Sequence, residues 1–250
     1  MKNFTIGAIT INLVAVLFTV PVAKADIIEL NSFWAGSGNV TIKYNGPLDG
    51  NTDYQISGGS GGFKTYDLTT DPGRTNAFQS FCVDIFHGFN FAVQSFDSFS
   101  TSVSTISAQA TIDLGRLFTQ YHSFIDSPGS SSLYESAFQL AVWEIVNEGI
   151  GGVYNLASGD FQVTSNSTGY SLANSWLTNL MTNPSTSSYT ANFWTVDSMI
   201  TKNHGTAQDI VVFAPVPEPT IYSMMLVGLG LIGFTLRRRK PEETIKFNKI

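Results

Sequence analysis

SLYESAFQLAVWEIVNEG, residues 132–149, is the most strongly patterned stretch of this chain and the centre of its predicted fold. Its apolar residues recur at intervals of three and four, as they do along one face of a helix. Ser132 and Glu135 have the spacing of a capping box, so we predict a helix from Ser132 to about Gly149. The apolar face comprises Tyr134, Ala137, Leu140, Ala141 and Ile145.

Two further helices are predicted, one on each side of this stretch. Apolar residues recur at helical spacing over 106–121, with Ser104 as the expected N-cap, and again over 172–181. On the central helix Glu144 and Glu148 lie one turn apart, and we expect both carboxylates to be exposed to solvent.

The first half of the chain is predicted to form strands. Residues 40–44 alternate between apolar and polar, and the glycine-rich segment 58–62 is expected to be a flexible loop. The aromatic-rich segments 78–86 and 89–96 are expected to be core strands joined near His87. Shorter strands are predicted at 63–66, 153–154, 161–163 and 210–213. Strands followed by helices predict an α+β domain, with a β-sandwich or barrel-like sheet and a helical insertion.

The N-terminus has the form of a secretory signal peptide. Lys2 precedes an apolar stretch over 6–22, and Ala23-Lys24-Ala25 fits the small-residue pattern of a cleavage site. We therefore predict a signal peptide over 1–25. An uncleaved anchor is the alternative.

The C-terminus has three elements in a fixed order. Prolines at 217 and 219 separate the domain from the C-terminal tail, because proline fixes φ and lacks an N–H. Residues 221–236 contain no charge, and we predict a single transmembrane helix there. A span needs about 20 apolar residues, so this one is slightly short and would cross with little tilt. A basic cluster comes next at 237–240, which places the preceding domain outside the cytoplasm.

This order resembles the PEP-CTERM sorting signal of envelope proteins from Gram-negative bacteria. The motif residues are Pro217, Glu218 and Pro219, and the basic stop consists of Arg237, Arg238, Arg239 and Lys240. The resemblance implies recognition by an exosortase, with the tail at 215–250 anchored in the membrane before processing. An ordinary membrane anchor that is never cleaved is the alternative.

The remaining residues, 26–214, have the length of one domain. The chain is acidic, with 19 Asp and Glu against 13 Lys and Arg, which argues against a nucleic-acid partner. Cys82 is the single cysteine, so no disulfide can form within the chain. We predict no metal site and no cofactor.

Two short segments carry the candidate chemistry: FCVD at 81–84 and FQLAVWE at 138–144. Together they resemble the thioester domains of bacterial surface adhesins, in which a Cys on a strand is bonded to a Gln on a helix. The resemblance implies a thioester between Cys82 and Gln139. Phe138 stands where the adhesins commonly have a threonine. The residues expected to shield or support the bond are Phe81, Asp84, Phe138, Ala141 and Trp143.

The chemistry of such a pair is coherent. A thiolate that attacks a side-chain amide expels ammonia and leaves an acyl group that is far more electrophilic than the amide. Trp143 is one turn after Gln139, so its indole could cover the Gln139 carbonyl. A proton acceptor is also required, and His87 is the first candidate, with His122 as a second.

These features predict an exported protein of the cell surface or biofilm matrix that attaches covalently to an amine or hydroxyl of a partner. Such a reaction occurs once per molecule, so the protein is not expected to be an enzyme. The alternative is a non-covalent structural or glycan-binding module of the envelope. A third class is a secreted cysteine hydrolase, in which Cys82 would pair with His87 or His122.

Overall fold

Two antiparallel sheets and three long helices form the part of the protein that the structure describes. This computed structural model describes residues 25–50, 53–88, 90–126, 130–148, 153–183, 185–195, 208–216 and 224–232. The strands are β1 (Asp26–Phe33), β2 (Gly38–Tyr44), β3 (Tyr54–Ser60), β4 (Phe63–Asp67), β5 (Phe78–Cys82), β6 (Val93–Phe96), β7 (Ser98–Ser100), β8 (Phe161–Val163), β9 (Tyr189–Thr195) and β10 (Ile210–Pro215). The helices are α1 (Ala108–Ile125), α2 (Ser132–Asn147) and α3 (Tyr170–Thr182).

The larger sheet is barrel-like and nearly closed. Its seven strands lie in the order β6-β1-β4-β5-β10-β9-β7. The two end strands are separated by Asp97 alone, whose N–H donates to the Thr195 carbonyl at 3.1 Å. One extended segment therefore pairs with β1 through β6 and with β9 through β7. The expectation of a mixed domain with a barrel-like sheet is confirmed.

The smaller sheet has the order β3-β2-β8. Strand β3 pairs with β2 over its whole length, from Tyr54 opposite Tyr44 to Ser60 opposite Gly38. The prediction of a flexible loop over 58–62 is therefore wrong for residues 58–60. Cross-strand pairing outweighs the low intrinsic strand preference of glycine.

Several predicted boundaries also differ from those observed. The strand expected over 78–86 ends at Cys82, and residues 153–154 are not a strand. Helix α1 is capped by Ser107, which accepts from the Ala110 N–H at 3.0 Å, and not by Ser104. Strands β1 and β9 were not predicted, because neither has a clean alternation of apolar and polar residues.

Helix α2 is enclosed by the rest of the fold. Every residue from Glu135 to Asn147 is buried, so the single apolar face predicted from spacing is wrong. A helix that is buried on all sides lies inside a core instead of on its surface. Its polar side chains must then find partners within the protein.

Glu135 has such partners, but the N-cap residue Ser131 makes no side-chain cap hydrogen bond, so the predicted capping box is not formed. Its Oε2 accepts from the Gly62 N–H at 3.2 Å and from Gln79 Nε2 at 2.8 Å. Its Oε1 accepts from Ser130 Oγ at 2.8 Å. Burial raises the pKa of Glu135 to about 7. This carboxyl group ties α2 to the β3–β4 turn and to β5.

Glu144 is fully buried, so the expectation that it is exposed is wrong. Its Oε1 accepts from the Asn155 N–H at 2.5 Å, and burial raises the pKa of Glu144 to about 8. Glu148 is partly buried and accepts from the N–H groups of Asp160 and Phe161, both at 3.3 Å. The two side chains hold the segment after α2 against the helix.

Among the described residues, no helix is long and apolar enough to cross a membrane. Residues 224–232 are helical, and the remainder of the transmembrane helix predicted over 221–236 lies outside the described residues. The same is true of residues 1–24 of the expected signal peptide, of the motif residues 217–219 and of the arginines at 237–239.

Replacing Gly62 with alanine should destabilise the fold by about 1–3 kcal/mol. A Cβ at position 62 would come within 2.6 Å of Glu135 Oε2 and 2.9 Å of Phe81 Cε1. The matched control is Gly58→Ala, where no atom lies within 4 Å of the new methyl group. Urea unfolding of both variants tests this, and equal stabilities would contradict it.

The stability of the protein should fall as the pH rises from about 4.5 toward 8. The buried Glu144 favours its neutral form, whereas in the unfolded chain it ionises at its ordinary pKa of 4.5. The Glu144→Gln variant keeps the acceptor for Asn155 but has no charge to bury, so it should lose less stability over this range, by on the order of 4 kcal/mol. Urea unfolding at both ends of the range measures the difference, with Asp97→Asn as the exposed control. Equal losses in Glu144→Gln and the unmodified protein would contradict the assignment.

Candidate functional site at Cys82 and Gln139

Cys82 and Gln139 are brought into direct contact by the fold. The Cys82 N–H donates to Gln139 Oε1 at 3.0 Å, and Gln139 Nε2 donates to the Cys82 carbonyl at 2.7 Å. Both residues are 1% exposed. The two residues that the sequence analysis paired are therefore neighbours in a buried site, although 57 positions separate them.

The edge of β5 explains why an amide side chain fits there. The Val83 N–H donates to the Asp209 carbonyl on the β10 side at 3.0 Å. Because main-chain groups alternate along a strand, those of Cys82 point to the opposite edge, toward β4. Pairing between β4 and β5 stops at Ser80. The Gln139 amide takes the place of the missing peptide group and satisfies a buried strand edge.

The thiol of Cys82 lies in a water-excluded environment. Its Sγ donates to the Asp84 carbonyl at 2.7 Å. Burial, and secondarily the nearby Asp84 carboxylate, raise the pKa of the Cys82 thiol well above its ordinary value. The neighbouring Trp143 side chain lowers this pKa in return, and its buried indole N–H has no hydrogen-bond partner among the described residues. The thiol is therefore protonated in the resting protein.

Asp84 and His87 form a pair beside the thiol. Asp84 Oδ2 lies 2.5 Å from His87 Nδ1, and Asp84 Oδ1 accepts from the Phe86 N–H at 2.7 Å. Burial raises the pKa of Asp84, and its contacts with Phe86 and His87 oppose that shift. Gln208 Nε2 donates to the carbonyls of Asp84 and His87 at 3.3 and 3.0 Å, which fixes the loop that carries both side chains.

The predicted aromatic residues divide between two places. Phe81 packs on Phe138, with ring centroids 4.6 Å apart, and both rings contact Phe213. Because neighbouring side chains on a strand point to opposite faces, this cluster lies across β5 from the Cys82 side chain. It holds α2 against the sheet, together with the fully buried Ala141. Trp143 is the aromatic residue that faces the sulfur.

His122 is placed elsewhere. It lies within α1, where its Nδ1 is 3.1 Å from the Phe118 carbonyl and its ring stacks on Phe118. Its described contacts do not include Cys82, Asp84 or Gln139. Gln208, by contrast, belongs to the site but was not predicted as a site residue. The available signal in the sequence was a polar residue two positions before the apolar strand β10.

A cleft of about 260 Å³ borders this site, although neither Cys82 nor Gln139 lines it. It lies between the smaller sheet and the loop after β5. Asp84 and Trp143, which both contact the thiol, form part of its wall, and His87 lines it as well. The inner walls are apolar, with Val40, Ile42, Ile56 and Ile85. Among the described residues, no group of three or more His, Cys, Asp or Glu side chains could hold a metal ion.

The C-terminal residues match a known family model. Residues 215–240 correspond to the PEP-CTERM protein-sorting motif. The chain carries a PEP-CTERM sorting motif. The motif implies an exported protein that an exosortase processes, with the cell envelope or surface as its destination. The match does not include Cys82 or Gln139, and none of the curated proteins compared with the chain is similar to it.

Replacing Gln139 with leucine should destabilise the protein even where no covalent bond can form. In a Cys82→Ala background the main-chain groups of residue 82 remain, so Gln139→Leu leaves a buried N–H and C=O without partners. The expected cost is about 2–5 kcal/mol, measured by urea unfolding. Gln120→Leu is the control, because Gln120 is only partly buried and water can replace its contacts. Equal effects at the two positions would contradict a structural role for the Gln139 amide.

Proposed function

We propose that this exported protein is a covalent adhesin of the cell surface, in which Cys82 and Gln139 form an internal thioester. The observation that supports the proposal is the contact between the Gln139 amide and the main chain of Cys82 in a buried site. Exclusion of water is the condition under which a thioester survives hydrolysis. After exosortase processing, the mature protein would act at the surface or in a biofilm matrix.

Formation of the bond is a substitution at the Gln139 side chain. Cys82 Sγ attacks Cδ, a carbon–sulfur bond forms, and the carbon–nitrogen bond breaks. Negative charge develops on Oε1, where the Cys82 N–H at 3.0 Å already donates, as in an oxyanion hole. The thiol proton passes to Nε2, which leaves as ammonia. We assign His87 the role of proton acceptor in this transfer, with Asp84 orienting its ring.

Attachment uses the same carbon a second time. An amine or hydroxyl of a partner attacks the Gln139 acyl carbon, forms an amide or an ester, and releases the Cys82 thiol. The acyl group is consumed, so the reaction occurs once and the protein does not turn over. The cleft beside Trp143 and His87 provides the approach from solvent.

A non-covalent envelope module is the second candidate. Both polar atoms of the Gln139 amide and the thiol proton already have hydrogen-bond partners, which favours a purely structural tie. A polar cleft of about 290 Å³ on the smaller sheet could recognise glycans through Lys43, Asn45, Gln55 and Gln162. A cysteine hydrolase is disfavoured, because a nucleophilic thiol needs a lowered pKa and some exposure.

The intact mass of the purified protein tests the proposal. With the thioester, the unmodified protein should be lighter by one ammonia than its sequence requires, and methylamine should convert it to an adduct that carries a free thiol. Cys82→Ala and Gln139→Ala should both have their full masses and form no adduct. His87→Ala should form the thioester more slowly.

A full mass with a titratable thiol in the unfolded, unmodified protein would end the thioester hypothesis. The non-covalent module would then be the working function. An unchanged rate of thioester formation in His87→Ala would remove His87 from the mechanism and leave the bond itself in place.

A further inference from the structure

We infer that the open edge of β3 is a docking site for an extended polypeptide segment of a partner, which would pair with β3 along the cleft at the Cys82–Gln139 site. The inference supplies a partner class for the proposed function, but it does not require a thioester. It depends on three features of the smaller sheet: the direction of its main-chain groups, the position of the cleft and the glycines of β3.

The direction of the main-chain groups is set by the pairing of β2. Its Asn39 and Thr41 carbonyls accept from Thr168 and Thr164 on the β8 side, at 2.9 and 3.0 Å. The alternate residues of β2 therefore face β3, where Val40 pairs with Gly58 and Ile42 with Ile56.

The main-chain groups of β3 alternate in the same way. Those of Ile56 and Gly58 point to β2, and those of Gln55, Ser57 and Gly59 point to the other edge. In the described part of the chain, β3 pairs with no strand but β2. The main-chain N–H and C=O groups of alternate residues along this edge can form hydrogen bonds with the main chain of another extended segment.

The cleft runs along this edge. Residues 56–59 of β3 form one side of it, and the Asp84–Gly88 loop forms the other. A strand added to β3 would direct alternate side chains into the cleft, toward Ile42 and Trp143. Those side chains would pack on apolar surface next to Gln139, whose side-chain carbonyl carbon is the acyl carbon of the proposed thioester. A lysine in the docked segment would therefore lie in the same cleft.

Glycine at position 58 keeps the cleft open. Gly58 is on the face of β3 that carries Ile56, and a Cβ built there meets no atom within 4 Å. A larger side chain at this position therefore has room in the fold but occupies the space that the docked segment needs. This property provides a variant that blocks the cleft without disturbing the sheet.

An extended polypeptide fits these features better than a glycan does. A glycan offers hydroxyls but no regular alternation of N–H and C=O at the spacing of a strand, and the walls of this cleft are mainly apolar. The polar cleft with Lys43 and Gln162 lies elsewhere on the smaller sheet and has a different lining.

The test uses the purified full-length chain with Cys82→Ala, so that its outcome is independent of thioester chemistry. A library of random linear peptides displayed on phage is selected against this protein, and an enriched peptide is synthesised. Its affinity should fall about tenfold in Ser57→Pro, which removes one outward N–H, and at least as far in Gly58→Val, which fills the cleft. Ser57→Ala is the control, because it keeps the N–H and should bind as the parent does.

Hydrogen exchange adds a readout at the edge itself, because the amides of Ser57 and Gly59 should exchange more slowly when the peptide is bound. Thermal unfolding verifies that the variants remain folded. The inference is overturned if no peptide is enriched, or if the enriched peptides bind both blocking variants as tightly as the parent. A dimer of the full-length chain that Ser57→Pro dissociates would also overturn it, because a second copy would then occupy the edge.

Discussion

The amide of Gln139, held against the main chain of Cys82, is the contact from which the geometry of the whole site derives. Strand β5 is paired with β4 only as far as Ser80, so its last residue would have an unsatisfied buried edge without this side chain. The two hydrogen bonds close that edge and fix α2 over the sheet. Because the groups that they satisfy cannot reach water, the position tolerates little besides a primary amide.

Other polar residues of α2 obey the same principle. Glu135 accepts from the β3–β4 turn and from β5, Ser136 Oγ donates to the Ser60 carbonyl at 2.9 Å, and Glu144 accepts from Asn155. Each bond joins the buried helix to a different segment of the fold. The helix is therefore positioned by directional contacts as well as by apolar packing. The positions of Gln139 and Trp143, which both lie on this helix, are fixed by the same contacts. A reactive acyl group would need the same property, since misplacement of the attacking atom slows such a reaction sharply.

The site also lies where the two sheets and the loop after β5 meet. The thiol is enclosed, yet its neighbours Asp84 and Trp143 reach the wall of an open cleft. In the part of the chain that the structure describes, β3 borders that cleft with an edge that pairs with no other strand, so a partner bound to this edge would lie beside Cys82 and Gln139. Binding and covalent attachment would then share one surface, with separate residues responsible for each.

Local sequence patterns were enough to recognise the sorting motif and to identify the buried pair. The order of proline motif, apolar run and arginines is contained in one short segment. The FCVD and FQLAVWE segments were enough to single out Cys82 and Gln139, and the helix and several strands were predicted from periodicity. The tertiary structure was needed to show that Glu135 and Glu144 are buried, that the glycines at 58 and 59 belong to a strand, and that Gln139 completes the edge of β5. These features depend on contacts between segments far apart in the chain. A pattern of neighbouring residues does not show where the pairing of a strand stops, or which main-chain groups at a strand edge must be satisfied by a side chain.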